Sequence, residues 1–572
     1  MQFTTGLTRI LVLFLAAMGI QAHAIAASFN VTDATGLRAA LVTAATNGED
    51  DVIVLAAGTY TTGGTTFTFV TNETNTLTLQ GATGTTRDQV VLDGGGISQV
   101  LNFSCVGSCG AVTLQGLTVQ NGSVGGLNTV SKSLTLSDVV FSGNATGVTS
   151  GGYLTVTNSS FSNHAGVAIA VTNPTFSNNA GVAIGPVTVT NSSFSNNTGG
   201  AILAPSDVAV DVTVTNSSFS NNTATNGGAI FTYYGTVTVT NSSFSNNTAS
   251  WGGGAIFGAG TVSNSTFFDN TADRSGGAIG GYGHVTVINS IFSNNKAGLG
   301  GGAMAGHSIV INSSFSGNSA VGSGAAIALP ARRAPIVHAI INSVFYGHTK
   351  PAIYGSLIYD PYNNRIEDNL IYLYYNLIDA GTDIAGMSPL MGNNVAPGAT
   401  SPFVDAANGN FQLVAGSPAI NAGLDPNSTT FATLIGSSVA DIRQSLLTDL
   451  QGDPRPTPGT AVDMGAYESA NTTASLNAPT IIGVSGNYGT ATVSFLPATP
   501  FTNYAVTCTA AGQTVRTATG TNSPITVQGL IGGVIYSCEL MGINSIAPSA
   551  PSVAVAVKPN SVVPMMMQLL FE

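Results

Sequence analysis

The twelve residues Val-Thr-Val-Thr-Asn-Ser-Ser-Phe-Ser-Asn-Asn-Thr occur unchanged at Val187 to Thr198, at Val212 to Thr223 and at Val237 to Thr248, each copy starting 25 residues after the last. Marked by its phenylalanine, the unit recurs in weaker form at Phe141, Phe161, Phe176, Phe194, Phe219, Phe244, Phe267, Phe292, Phe315 and Phe345, with spacings mostly between 18 and 25 residues. A period of that length belongs to a solenoid, in which one coil cannot bury its apolar face alone and is completed by its neighbours. Leucine-rich repeats share the period, but their leucine framework is absent and nothing between the strands has helical periodicity.

Inside the unit, Val212-Thr213-Val214-Thr215 alternates as a half-buried strand requires, with Val inward and Thr outward. Unbroken parity would put Phe219 in water. Asn216 resolves this, since Asn tolerates the left-handed backbone and can make a tight bend that turns Ser217 and Phe219 inward. Asn221-Asn222-Thr223 forms a second turn, and Gly227-Gly228-Ala229-Ile230 a third short strand. Three strands and three turns describe one coil of a parallel β-helix. We therefore expect an all-β solenoid in which Asn191, Asn216, Asn241, Asn264, Asn289 and Asn312, with Phe194, Phe219, Phe244, Phe267, Phe292 and Phe315, meet their own copies along the axis.

Stacking also explains the composition. Charged residues make up only 7% of the chain. Like charges repeated at the 4.8 Å strand spacing would repel by about 1 kcal/mol per adjacent pair even in water. Asn, Ser and Phe instead meet their copies favourably. The Asn-x-Ser/Thr triplets fall on the same turns and read first as ladder residues. Thr32-Asp33 can cap a short amphipathic helix with its stripe at Leu37, Leu41 and Ala44, and Asp50-Asp51 then opens the first strand, so that the array has a closed N-terminal end.

A net charge of -12 argues against nucleic acid or anionic lipid as a partner, because no basic patch is present to neutralise phosphates. Arg9, the apolar run Ile10 to Ile20 and the small residues around Ala22-His23-Ala24 read as a cleaved secretory signal within 1–26. No other apolar run reaches the roughly 20 residues that cross a bilayer. The four cysteines form two local pairs, Cys105 with Cys109 and Cys508 with Cys538, suited to disulfides in an oxidising compartment and poor as a zinc site.

The alternation of Phe-x-x-Asn (Phe194 to Asn197, Phe219 to Asn222, Phe244 to Asn247, Phe267 to Asn270, Phe292 to Asn295) with Gly-Gly-Ala-Ile (Gly227 to Ile230, Gly253 to Ile256, Gly276 to Ile279) resembles the repeats of chlamydial polymorphic outer membrane proteins and of secreted proteins with a pectin-lyase-like right-handed β-helix. Phe161-Ser-Asn-His164 departs from the pattern. Ser401 to Asp405, Gly416 to Gly423, Gly452 to Pro456 and Asp463 to Glu468 are similar to a choice-of-anchor Q segment, which in that family closes such helices and precedes a surface-anchoring module. Val493 to Phe495, Tyr504 to Cys508, Leu530 and Tyr536 are similar to a fibronectin type III sandwich, in which Cys508 and Cys538 would join neighbouring strands and Tyr536 would form a tyrosine corner. The resemblance implies a β-helix over 27–390 with its cap, a closing segment over 391–470, a sandwich over 477–558 and a tail over 559–572. Handedness comes from the resemblance alone. Val562 to Glu572 is too short to cross a membrane and ends acidic, so neither an intact membrane anchor nor a C-terminal barrel is expected.

Enzymatic cleavage of an acidic polymer by a lyase or glycosidase would need placed carboxylates, or Ca²⁺ with a basic residue, on adjacent coils. Asp269, Asp273 and Arg274 are the cluster available inside the repeats, and they also suit solvated turns. A second cluster, Asp360, Arg365, Glu367 and Asp368 followed by Tyr372, Tyr374 and Tyr375, lies where the array turns irregular and reads as structural closure. His284 and His307 lack a partner at metal-ligand spacing, and no Asp follows the Gly-Gly steps as a calcium-binding nonapeptide needs, so no metal or cofactor is expected. Tyr233, Tyr234, Trp251 and Tyr282, with Phe231 and Phe257, follow the Gly-Gly-Ala strands and form the candidate platform for a sugar ring or a protein partner. The sequence thus points to an adhesin-like binding protein, secreted or at a bacterial cell surface, with a polysaccharide or a host-surface protein as partner. A polysaccharide-cleaving enzyme and a ligand-free spacer are the alternatives.

Overall fold

The computed structural model describes residues 26–561 except 107–108, 172–185, 205–207, 330–336, 349–350, 356–357, 361–364, 368–369, 379–383, 386–389, 397–399, 436–442, 454, 456–461, 469–478, 497–502 and 544–551. The signal segment, Phe176, Asp368 and most of the tail lie outside the described residues. The chain divides into two compact units: Met1–Thr286 with Phe292–His307 and Asn318–Pro330, and Val287–Ile291 with Ser308–Gly317 and Ala331–Glu572.

In the first unit the sheet begins one strand earlier than the sequence suggests. Ala27–Val31 pairs in parallel, in register, with Asp51–Leu55, because its own alternation suits an edge strand. The helix Ala34–Ala44 lies between these two strands in the chain. The Asp33 carboxylate accepts from the Gly36 backbone N–H at 2.8 Å, and Leu37, Ala40, Leu41 and Ala44 are buried. Arg38 on the same helix donates to the carbonyls of Thr62 and Thr66 and sits over the Phe67 ring, tying the cap to the loop beside the next strand.

Each repeat then builds a coil. Val212–Thr215 and Ser218–Ser220 make two faces, and Ile230–Thr240 supplies the third before running on into the next coil. Pairing is parallel and identical residues meet: Val187 with Val212 and Val237, Phe194 with Phe219 and Phe244. Asn191, Asn216 and Asn241 all have φ of 49°, the left-handed bend that returns the next residue to the interior, and Ser192, Ser217, Ser242 and the phenylalanines are buried. The rings of Phe194, Phe219, Phe244 and Phe267 stack at 4.8 Å with interplanar angles of 2–3°.

The continuous amide ladder, however, runs through the asparagine three residues after each Phe. The backbone N–H and side-chain amide of Asn197 both donate to Oδ1 of Asn222 (3.2 and 2.7 Å). Asn222 does the same to Asn247, Asn247 to Asn270, Asn270 to Asn295 and Asn295 to Asn318. Each side-chain amide also donates to the carbonyl of a Phe in an earlier coil, as Asn222 does to Phe194 at 3.1 Å. These residues are fully buried, so satisfying every donor is what makes their burial tolerable. A fourth, short parallel sheet follows this ladder: Thr223–Ala224, Thr248–Ala249, Thr271–Ala272, Lys296–Ala297 and Ser319–Ala320.

In the second unit the outward positions held by Thr elsewhere have become apolar. Ile288, Ile309, Ile311, Ala339 and Ile341 pack under Leu424, Leu446 and the helix Thr429–Ile435, through its Phe431, Leu434 and Ile435. Tyr372, Tyr374 and Tyr375 pack against this cluster, while the strands Ile358–Asp360 and Arg365–Glu367 form an antiparallel hairpin in whose backbone register residues 360 and 365 are opposite. Polar ties join the same surfaces: Asn289 donates to the carbonyls of Ser445 (2.6 Å) and Thr448 (2.7 Å), and Asn342 donates to Leu424 (2.9 Å). Asn289 and Asn312, at the same bend as the exposed Asn216, are buried here.

The later residues form two antiparallel sheets, one of Thr480–Asn487, Thr490–Leu496 and Ile525–Gln528, the other of Arg516–Gly520, Asn503–Thr509, Tyr536–Ile543 and Val555–Val557. Their core holds Val493, Phe495, Tyr504, Val506, Tyr536 and the disulfide Cys508–Cys538. The Tyr536 hydroxyl accepts from the Ile531 N–H at 3.1 Å. The architecture is all-β: a long parallel β-helix and a small antiparallel β domain.

Candidate functional site

The aromatic cluster lies in the first unit and arises from a bulge. Phe231 pairs with Phe257, but the next matched pair is Thr236 with Ala259, so the earlier strand carries extra residues that cannot lie flat. Gly235 returns the chain, where a Cβ would fall 1.9 Å from the Val210 carbonyl, and Thr232 is turned in, with its hydroxyl donating to Val210 (3.3 Å) and accepting from the Gly235 N–H (3.0 Å). Tyr233 and Tyr234 are pushed outward, 47% and 63% exposed. Their rings meet edge to face at 4.8 Å. Tyr282, 56% exposed, adds a third ring 6.2 Å from Tyr233 and stands on Phe257 at 5.7 Å. Phe231 in turn stacks on Phe257 at 5.6 Å.

Trp251 belongs to a neighbouring turn. Its ring is covered on one face by the Arg274 guanidinium at 4.0 Å, and the Arg274 N–H donates to its carbonyl at 2.9 Å. Phe257 lies 3.5 Å from where a Cβ on Gly252 would stand, so the two aromatic groups adjoin through that glycine. The assembly presents apolar ring faces bordered by phenolic hydroxyls, which suits a partner with one apolar face and polar edges.

The carboxylate candidates do not converge. Asp269, with φ of 53°, occupies the exposed left-handed bend that Asn196 and Asn221 occupy in other coils. Asp273 and Arg274 are exposed on the following turn, their N–H groups spent on Ala249 and Trp251. Among the described residues the ion pairs are Arg87 with Asp138 and Arg455 with Glu468, and no group of three or more His, Cys, Asp or Glu could hold a metal. The His284 and His307 rings are 6.1 Å apart; burial lowers the pKa of His284.

Two features noted in the sequence have roles that the sequence reading did not give them. His164, the departure from Phe-x-x-Asn, replaces one rung of the buried amide ladder: its Nδ1 accepts from the Asn144 N–H at 3.2 Å, and its own N–H donates to Asn197 Oδ1 at 3.3 Å. Its Nε2 has no hydrogen-bond partner among the described residues, and burial lowers the ring pKa to about 4 against the Asn144 carbonyl, 3.3 Å from Nδ1, which raises it. In the second unit Arg455 is buried, donating to Glu468 (2.8 Å), Asn289 (3.0 Å) and the Gly465 carbonyl (3.1 Å). Asp449 and Asp463 add to its field; burial raises Glu468 to about 7 in spite of the guanidinium beside it. The motifs Gly452 to Pro456 and Asp463 to Glu468 hold Arg455, Asp463 and Glu468, but only their pairing in space with Asp449 and Asn289 reveals a charge node.

No helix among the described residues is long and apolar enough to cross a membrane. No curated protein matches the chain. Among solved structures, a PL6 family polysaccharide lyase from Pseudopedobacter saltans is 11% identical over 68% of this chain and 96% of that one, with TM-score 0.38. An alginate lyase from Paenibacillus sp. str. FPU-7 is 16% identical over 52% and 95%, TM-score 0.25. A myokine structure is 19% identical over 14% and 96%, TM-score 0.13. Residues 176–338 match the model of the right handed beta helix region, and this similarity supplies the hand of the parallel coils.

Proposed function

We propose that this chain is an exported, adhesin-like β-helix protein that binds carbohydrate at a cell surface or in the medium. The observation that carries the reading is the tyrosine cluster: a strand bulge holds Tyr233 and Tyr234 out in solvent beside Tyr282, which stands on Phe257. The solenoid's ladders do not need it, and a contiguous exposed aromatic group on a soluble surface marks an interaction site. The sparse, net negative charge favours neutral sugars over acidic ones. The order of the two antiparallel sheets and the Tyr536 hydrogen bond support a fibronectin type III-like module over 477–558, and the apolar cover of Ile288 to Ile341 supports a closing role for 391–470. Export through 1–26 agrees with the two disulfides.

The test is retention of the full chain on a panel of immobilised polysaccharides, with soluble products assayed in parallel. Retention lost in Tyr233→Ala/Tyr282→Ala, without cleavage, supports the binding role. Depolymerisation abolished by Asp269→Asn/Asp273→Asn would replace it with an enzyme, and no retention at all with a spacer.

A further inference from the structure

We infer that a second saccharide site, separate from the tyrosine cluster, lies in a groove across the early coils of the first unit. The groove is open to solvent along its length, has a volume of about 590 Å³ and is lined by Asp93, Asn121, Ser123, Gly143, Ala145, Asn163 and Ala165, among others.

Its origin is a local change in the repeat. The turn from Asn144 to the strand Val148–Ser150 is half as long as that from Asn222 to Ile230. The fourth sheet, which starts at Thr223, is therefore missing from these coils. Side chains shrink at the same positions. Gly143 stands where later coils carry Asn196, Asn221 and Asn246, and keeps their left-handed bend with φ of 62°. Ala145 and Ala165 stand where later coils carry Thr198, Thr223 and Thr248. A shortened turn and smaller residues open a notch, walled on one side by the loop through Gly95 and Gly96.

The chemistry of the lining names the class of ligand. Among the described residues it contains no Lys, Arg, His or aromatic residue. Its one charge is Asp93, whose carboxylate accepts from Gly95 N–H (2.7 Å), Gln120 Nε2 (2.8 Å) and Asn121 Nδ2 (3.2 Å). Burial raises the Asp93 pKa, but these donors outweigh it and leave the pKa below its ordinary value, so the group stays ionised at neutral pH. A fixed carboxylate with amides, a hydroxyl and turn backbone accepts hydrogen bonds from hydroxyl groups and brings no positive charge. That suits the vicinal hydroxyls of a neutral oligosaccharide and repels uronates, sulfates and phosphates.

Filling the groove with this protein's own later-coil residues tests the assignment. Gly143→Asn/Ala145→Thr/Ala165→Thr installs side chains that the fold accommodates at the same positions in later coils, and Asn tolerates the bend at 143. The full chain is titrated calorimetrically with cellotetraose, mannotetraose, xylotetraose and tetragalacturonate, and with calcium chloride alone. We expect at least one neutral tetrasaccharide to bind the Tyr233→Ala/Tyr282→Ala variant, in which the platform is removed, and that remaining binding to weaken more than tenfold when the groove is filled or Asp93→Asn is added. Circular dichroism and melting temperature of the filled variant should match the parent. In the tyrosine variant, equal binding with the groove filled, preference for tetragalacturonate, calcium binding at Asp93, or no sugar binding would each overturn the inference. The tyrosine variant separates this outcome from failure of the platform.

Discussion

Replacing His164 by Asn should make the β-helix less sensitive to acid, by an amount the structure specifies. The ring is 1% exposed with a pKa of about 4, against 6.5 for a free imidazole. A folded-state pKa below the unfolded one means that protons bind the unfolded chain more tightly. Stability is therefore fully present above pH 6.5 and is lost as pH falls from there toward 4. The gap is worth about 3.4 kcal/mol in full, and about 2 kcal/mol is already lost by pH 5. Asn at 164 removes the titration. It can also place an amide oxygen on the Asn144 N–H and an N–H on the Phe141 carbonyl, as the other rungs do. Urea unfolding of parent and variant at pH 7.5 and pH 5 supplies the comparison. Other titrating groups, His284 included, are common to both proteins and cancel in the difference of differences. We expect the parent to lose about 2 kcal/mol more than the variant over this interval. Equal losses, or an NMR titration of His164 near 6.5, would refute the reasoning.

Other consequences are as specific. Asn247→Ala removes the acceptor of two Asn222 donors and should cost about 2–4 kcal/mol, read as hydrogen-exchange protection lost around Asn222 and Asn270. Arg455→Met leaves Glu468 with its buried neighbours Asp449 and Asp463 uncompensated and should destabilise the second unit by about 3–5 kcal/mol in thermal unfolding. Cys508→Ser/Cys538→Ser opens a link between residues 30 apart and should lower the stability of the antiparallel domain by about 3–4 kcal/mol in denaturant. Tyr536→Phe deletes the hydroxyl that receives the Ile531 N–H and should cost about 1 kcal/mol by the same assay.

Much of the coil was legible because it depends on local parity. Alternating Val and Thr, an Asn that can turn left-handed and a Phe placed beyond it dictate which side chains face in, whatever the rest of the chain does. Which asparagine forms the amide ladder was less accessible, since two Asn flank each turn and only the packed coil decides which is buried. The change from Thr213 and Thr215 to Ile309 and Ile311 was visible as letters. It acquires meaning once Phe431 and Leu434 are seen to cover those positions. The groove beside Asp93 was illegible, because it results from a turn length compared across coils whose motif has decayed. The tyrosine cluster was legible as composition, whereas its projection depends on a register shift that pairing alone reveals.

Three coils with the same twelve residues present incoming strands with interchangeable edges during folding. A slip by one entire coil would preserve the Phe stack and the Asn ladder and merely spool out a loop, so perfect regularity leaves alignment poorly determined. The irregular rungs break that equivalence: the bulge at Tyr233 and the imidazole at 164 differ from every repeated copy, so a slipped pairing would not reproduce their contacts. Regularising His164 would then strengthen the finished array while erasing one of the marks by which the chain counts its coils.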